Sequence, residues 1–191
     1  MKKVHVLSVL AVGLMLVAGM VTAGIDGSKH DFEATAWTDE ICEACHTPHN
    51  GNTSFVAPLW NHVVTSATYT LYSSATLNGT KGQPGDVSKA CLSCHDGTVA
   101  VDSFGGSTGS TYITGNANFS TDLSNDHPIG ITYETGAGTE MKNTISIAAV
   151  QLWDSKVECA SCHDVHNTAG NSYLLVNTNT GSALCLACHD K

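Results

Sequence analysis

The sequence predicts a protein made mostly of irregular backbone, with short α-helices and few or no β-strands. Few stretches keep a hydrophobic period of 3.6 or 2.0 residues, and the sequence between the cysteines is rich in Gly, Ser, Thr and Asn, as at 103–111 and 177–182. The clearest candidate for a longer helix or strand is 144–153, TISIAAVQLW.

One pentapeptide, CxxCH, occurs four times and uses all 8 cysteines. The pairs are Cys42/Cys45, Cys91/Cys94, Cys159/Cys162 and Cys185/Cys188, followed by His46, His95, His163 and His189. This spacing lets two thiols bond to the two vinyl groups along one edge of a porphyrin, while the next imidazole binds the iron. Zinc knuckles, disulfides or a thioredoxin-like motif would not need a His after every pair. The motifs therefore predict four haem c groups, each with one proximal histidine.

The N-terminus has the pattern of a signal peptide. Two lysines precede an apolar stretch over about 4–21, and the small residues at 21–23 form a signal-peptidase site. We therefore expect a cleaved signal peptide at 1–23 and a mature chain over 24–191. A retained membrane anchor is the alternative, because the apolar run is nearly long enough to span a bilayer.

The mature chain is expected to be a single tetrahaem domain built from two two-haem modules, at about 24–110 and 120–191. CEACHTPHN in the first module matches CASCHDVHN in the second, and CLSCHD matches CLACHD. Since 191 residues are few for four haem groups, the haems should supply much of the core. A chain of haems in contact leaves no place for two independent cores.

The second axial ligand of each iron separates an electron carrier from an enzyme. Outside the predicted signal peptide, Met141 is the only methionine, whereas five histidines remain beyond the proximal ones. Four irons with two histidines each are therefore the economical arrangement. Such irons have low potentials and no open position, which argues against reaction with a small substrate.

The predicted distal ligands are His30, His49, His127 and His166, and His62 is the less favoured candidate. His49 and His166 lie three residues after a proximal histidine in both copies of the module. On one helical turn such a pair can serve two neighbouring haems. The other interpretation of His62 is a haem-propionate partner or a packed surface residue.

The charge of the chain limits its partners. The formal net charge is −9, and no basic patch interleaved with aromatic residues is present, so nucleic-acid binding is not expected. No second apolar run of spanning length occurs, so no membrane contact is expected after signal cleavage. An acidic surface keeps a protein soluble or steers it toward a positively charged redox partner.

Several segments, in order and with their flanks, resemble one family of cytochromes. They are SKHD at 28–31, CEACHTPHN at 42–50, APLWN at 57–61, CLSCHDGTVA at 91–100, the His-Pro pair at 127–128 and the terminal CHDK. They are similar to the multihaem cytochromes with doubled CxxCH motifs, and within these to tetrahaem outer-surface cytochromes of the OmcE type, related to the hexahaem OmcS.

This resemblance implies haems with two histidine ligands, stacked in alternating parallel and T-shaped pairs. It also implies subunits that polymerise head to tail into conducting extracellular filaments, in which His49 ligates a haem of the adjacent subunit. Members of the family commonly carry Arg where this chain has His62, which supports leaving His62 out of the ligand set.

Together these observations predict an electron carrier without catalytic residues. In its leading form it is a secreted filament subunit at the cell surface, with other copies of itself, redox partner cytochromes and extracellular electron acceptors as partners. A soluble periplasmic tetrahaem shuttle is the first alternative. A multihaem reductase with one open haem is the second.

Overall fold

The computed structural model describes residues 24–190, so the predicted signal peptide at 1–23 lies outside the described residues. In the described part the helices are α1 (Asp86–His95), α2 (Cys159–Cys162) and 3₁₀ turns at Gly115–Ala117, Ser172–Leu174, Thr180–Ser182 and Cys185–Ala187. The strands are β1 (Thr70–Leu71), β2 (Asp122–Leu123), β3 (Ile131–Thr132) and β4 (Lys156–Val157). The predicted fold class, mostly irregular with short helices and few strands, is confirmed. Between residues 24 and 190 no helix has the length and apolarity to cross a bilayer.

The strands fasten distant segments to one another. β1 pairs in parallel with β2, with Thr70 opposite Asp122, and β3 pairs antiparallel with β4, with Ile131 opposite Val157. Each strand has only two residues, so neither pair forms a sheet face that could cover a core. Their main-chain hydrogen bonds instead hold one loop against another.

Helix α1 carries the second CxxCH motif at its C-terminal end. Asp86 lies in the first turn, where a carboxylate suits the positive end of the helix dipole. At the other end, the Asp96 N–H donates to the Leu92 carbonyl at 2.9 Å. Gly97 follows with a φ of 71°, a left-handed conformation that glycine adopts without strain and that ends the helix.

Helix α2 is joined to α1 by a buried carboxylate and serine hydroxyls. Glu158, the N-cap of α2, is 2% exposed and accepts hydrogen bonds from the Gly85 N–H at 3.1 Å and from the Ser88 hydroxyl. The Cys159 N–H donates to the Ser88 hydroxyl oxygen at 2.9 Å, and the Glu158 N–H donates to that of Ser161 at 3.0 Å. This junction fixes the second and third CxxCH motifs relative to each other. It also connects the two predicted modules, whose boundaries stay predictions.

The apolar core is small. Of the buried apolar residues, Tyr69, Leu92 and Leu123 form a cluster, with Ala67, Leu71 and Ile129 packed against it. Others, such as Trp60 and Phe104, are buried outside this cluster. In the described residues, the largest fully buried side chains are Leu92, Ser88, Ser93 and Ser161. A chain of this length normally hides a much larger apolar interior. The small core agrees with the expectation that porphyrin surfaces supply the rest.

The prediction of a helix or strand at 144–153 is wrong, because this segment consists of turns and irregular backbone. The Ser146 N–H donates to the Ala187 carbonyl at 3.1 Å, and the Val150 N–H donates to the Ile147 carbonyl at 3.0 Å. Val150 is buried. A main-chain hydrogen bond therefore holds the segment beside the fourth CxxCH motif, and the segment forms no helix or strand of its own.

We expect Glu158→Ala to lower the free energy of unfolding by about 2–4 kcal/mol, because it leaves the buried Gly85 N–H and Ser88 hydroxyl without an acceptor. Urea titration of the haem-loaded protein would measure this change. Glu33→Ala, which removes an exposed carboxylate, is the matched control and should change stability by less than about 0.5 kcal/mol. Equal stability of the two variants would contradict a structural role for the junction.

Candidate haem sites

Each CxxCH motif closes one helical turn. The histidine N–H donates to the carbonyl of the first cysteine: His46 to Cys42 at 2.8 Å, His163 to Cys159 at 3.0 Å and His189 to Cys185 at 3.0 Å. The second motif has the same spacing inside α1. A separation of four residues on a helical turn places the first thiol and the imidazole on the same face. This is the placement that a porphyrin bonded at its edge and at its iron requires.

The eight cysteines are free thiols in the structure, with no disulfide among them. Burial raises the pKa of Cys45 to about 11, of Cys94 to about 12 and of Cys162 to about 11. A zinc site would need several thiolates converging on one point. Among residues 24–190 the cysteines form no such group. The thiols are thus separate pairs, as haem attachment requires.

Adjacent motifs lie close to one another in space. The second and third motifs are in contact near their first cysteines: the Cys159 N–H donates to the Ser88 hydroxyl oxygen of α1 at 2.9 Å. The neighbouring Cys159 thiol, together with burial, raises the pKa of Cys91. The other neighbouring motifs interact through their second cysteines, whose charges add to the effect of burial on the pKa: Cys45 acts on Cys94, and Cys188 acts on Cys162. The four attachment points therefore follow one another in chain order.

In three of the four predicted proximal histidines, Nδ1 is hydrogen-bonded to a backbone carbonyl. The pairs are His46 with the Pro58 carbonyl at 2.7 Å, His95 with the Ala117 carbonyl at 2.7 Å and His163 with the Tyr173 carbonyl at 3.0 Å. An imidazole that donates its Nδ1–H keeps a lone pair on Nε2, the atom left to bind a metal. The sequence carried no signal for these partners, because every residue type has a carbonyl.

Predicted distal histidines face three of the predicted proximal ones. The distances between ring centroids are 5.9 Å for His30 and His95, 6.2 Å for His46 and His166, and 6.4 Å for His127 and His189. Two imidazoles on opposite sides of one iron should have centroids about 6 Å apart, since each metal–nitrogen bond is about 2 Å long. The three spacings fit this arrangement.

Burial favours the neutral, metal-binding form of two of these distal histidines. It lowers the pKa of His30, and the charges of His95 and His163 lower it further. It also lowers the pKa of His127, an effect that the hydrogen bond to the Pro128 carbonyl opposes and the charge of His189 reinforces. A neutral imidazole keeps the lone pair that a ligand must offer.

Two buried ring nitrogens have no hydrogen-bond partner within the described residues, namely Nδ1 of His30 and Nε1 of Trp60. Buried polar atoms without a partner are rare in folded proteins. The Trp60 ring lies 6.3 Å from the His46 ring at an interplanar angle of 88°, so its orphaned N–H is beside a predicted iron ligand. A haem carries propionate carboxylates at its edge, and these are acceptors that both nitrogens lack. The residues present therefore fit the cofactor.

His163 and His49 are left over from these pairs. Between residues 24 and 190, the histidine rings that face one another do not include either of them. Both side chains are exposed. Within the described residues, the structure therefore does not pair the ring of His163, the predicted proximal ligand of the third motif, with that of His49, a predicted distal ligand.

His62 is placed differently from every other candidate. It is 5% exposed, its Nδ1 lies 2.8 Å from the Val63 carbonyl oxygen, and its Nε2 lies 3.0 Å from that of Ala100. The Nε2 atom is also 3.5 Å from the Cys94 sulfur. Since both ring nitrogens already have polar neighbours, the geometry favours leaving His62 out of the ligand set. The individual ligand assignments stay predictions.

Comparison with known proteins supports this chemistry for part of the chain. The family model described as doubled CXXCH motif matches residues 154–191, which contain the third and fourth pentapeptides. No curated protein matches the chain. The match and the motifs support a multihaem c-type cytochrome with covalently bound haem c, a class that points to an electron carrier.

We expect His127→Ala to convert one low-spin iron to a high-spin or cyanide-binding form, because the ring that faces His189 is removed. Electron paramagnetic resonance with and without cyanide would detect the change. His62→Gln is the matched control and should leave every iron low-spin. If His127→Ala keeps a fully low-spin spectrum without cyanide binding, His127 is not a ligand.

Proposed function

We propose that this protein carries electrons along four haem c groups, each bound by two histidines, and that copies of the chain join head to tail into an extracellular filament. The observation that carries the proposal is the pattern of the rings. Three proximal histidines have a facing imidazole, whereas exposed His163 and exposed His49 face no other imidazole within residues 24–190.

The paired rings support electron transfer without bond chemistry. When bound, haem iron supplies one-electron oxidation and reduction. The cysteines hold each group at its edge, and the carbonyls of Pro58, Ala117 and Tyr173 orient the proximal rings. An iron with two imidazoles has no free position for a substrate, which disfavours the alternative of a reductase with one open haem.

The contacts between the second and third motifs support transfer from one site to the next. The Cys159 N–H donates to the Ser88 hydroxyl oxygen at 2.9 Å, and the Glu158 junction holds the two helices together. Fixed spacing matters because the role of the protein is to position the redox groups and tune their surroundings. The chain itself would change little as an electron passes.

The two unpaired rings support a filament. Under this proposal His163 needs a second imidazole, and His49 faces no other histidine ring in the described part of the chain. A ligand given by each subunit to the next makes a head-to-tail contact that need not close, and such contacts generate helical fibres. In a soluble periplasmic shuttle, His49 would instead have to reach His163 of the same chain.

The location and partners form part of the proposal. The signal peptide expected at 1–23 would export the chain, and haem c is attached outside the bacterial inner membrane. A filament at the cell surface would take electrons from redox partner cytochromes and pass them to extracellular acceptors. The net charge of −9 suits partners with a positively charged docking face.

We expect His49→Ala to abolish filaments, because it removes the imidazole offered to the neighbouring subunit. Negative-stain microscopy and size-exclusion chromatography of secreted, haem-loaded material would show monomers with one open iron. His127→Ala is the matched control, since it also opens one iron but within the chain, and its filaments should persist.

Discrete wild-type monomers with four low-spin irons would instead establish the periplasmic shuttle. A wild-type iron that binds nitrite or cyanide would establish the reductase. In either case the filament proposal would be lost, while covalent attachment of haem c would stand.

A further inference from the structure

We propose that the Asp96 carboxylate is a buried fixed charge that lowers the reduction potential of the haem held by Cys91 and Cys94. The proposal rests on the proposed function only in that a haem must be attached at this motif. It assigns a role in tuning to a residue that is neither a thioether anchor nor an iron ligand.

Asp96 immediately follows the proximal His95 and is 3% exposed. Its Oδ2 accepts hydrogen bonds from the Thr65 hydroxyl at 2.6 Å and the Tyr69 hydroxyl at 2.7 Å. Its Oδ1 accepts from the Thr98 N–H and the Thr98 hydroxyl, both at 2.7 Å. Four donors from two separate segments therefore surround the carboxylate, which is the environment of an ion and not of a neutral acid.

Within residues 24–190, no ion pair neutralises this carboxylate. The ion pairs there join Lys89 to Asp86 and His166 to Asp164, and neither includes Asp96. A carboxylate whose two oxygens both accept hydrogen bonds from surrounding donors is stabilised as the anion. The negative charge is thus held by hydrogen bonds alone.

The charge lies beside the attachment site. Asp96 is the residue directly after His95 and the second after the anchor Cys94, and its N–H closes the last turn of α1 on the Leu92 carbonyl at 2.9 Å. Reduction adds one electron from a donor to the iron and removes one positive charge. A nearby buried anion therefore stabilises the oxidised form more than the reduced form. Because the anion is buried, water and salt screen its charge only weakly.

The fourth motif provides a natural comparison. Asp190 occupies the same position after His189 but is exposed, and its backbone N–H donates to the Glu140 carbonyl at 2.9 Å. A charge in contact with water is screened by solvent and salt. The same CHD sequence thus places a buried charge at the second site and a solvated charge at the fourth.

The test is a redox titration of haem-loaded Asp96→Asn, followed by absorbance at low and at high salt. We expect the midpoint potential of one of the four transitions to rise by at least about 59 mV, which is a tenfold change in its one-electron equilibrium constant. This rise should depend little on salt. Asp190→Asn is the matched control, and its smaller effect should shrink as salt is added.

A second variant separates charge from structure. Tyr69→Phe removes one donor to Oδ2 but keeps the carboxylate, so it should lower the same potential, whereas Asp96→Asn raises it. Unchanged potentials in Asp96→Asn, or a rise in Tyr69→Phe, would overturn the proposal; if Asp96→Asn does not fold, the Tyr69→Phe result decides. A wild-type mass lacking the haem at the second motif would instead count against the proposed function.

Discussion

The architecture depends on holding imidazole rings in pairs about 6 Å apart with a backbone that has almost no regular structure. Ring pairs such as His30 with His95 meet this requirement although the first ring comes from a loop and the second from the end of α1, far along the sequence. Specific contacts hold these segments in place: the two pairs of two-residue strands, the carbonyl beside His95 and the Ser88 hydroxyl. Order here comes from specific polar contacts and not from a packed apolar interior.

Polar contacts of this kind also set the electrostatic surroundings of the sites. Glu158 and Asp96 are both buried carboxylates, and both accept hydrogen bonds from hydroxyls and backbone N–H groups. The first fixes helix to helix, and the second lies beside an attachment site. Burying charge is costly unless it is well solvated by donors, so these positions are specified closely by their partners.

Much of the chemistry could be predicted from the sequence, because CxxCH is a local pattern and each motif closes its own turn. The scarcity of regular elements was also predictable from the Gly- and Ser-rich composition. The irregular backbone of 144–153 was not predictable, since it depends on a tertiary contact, the hydrogen bond from the Ser146 N–H to the Ala187 carbonyl. Two sets of contacts could not be predicted from the sequence, because tertiary structure decides them. They are the carbonyls of Pro58, Ala117 and Tyr173 beside the proximal rings, and the donors around Asp96.

The use of main-chain carbonyls as partners for Nδ1 has a consequence for how such chains can vary. The carbonyl partner lies 12 residues from His46, 22 from His95 and 10 from His163. Because the oxygen belongs to the backbone, substitutions and insertions in these loops are tolerated as long as the path returns to the ring. Loop sequence and loop length can therefore change while the proximal imidazole rings keep the same orientation.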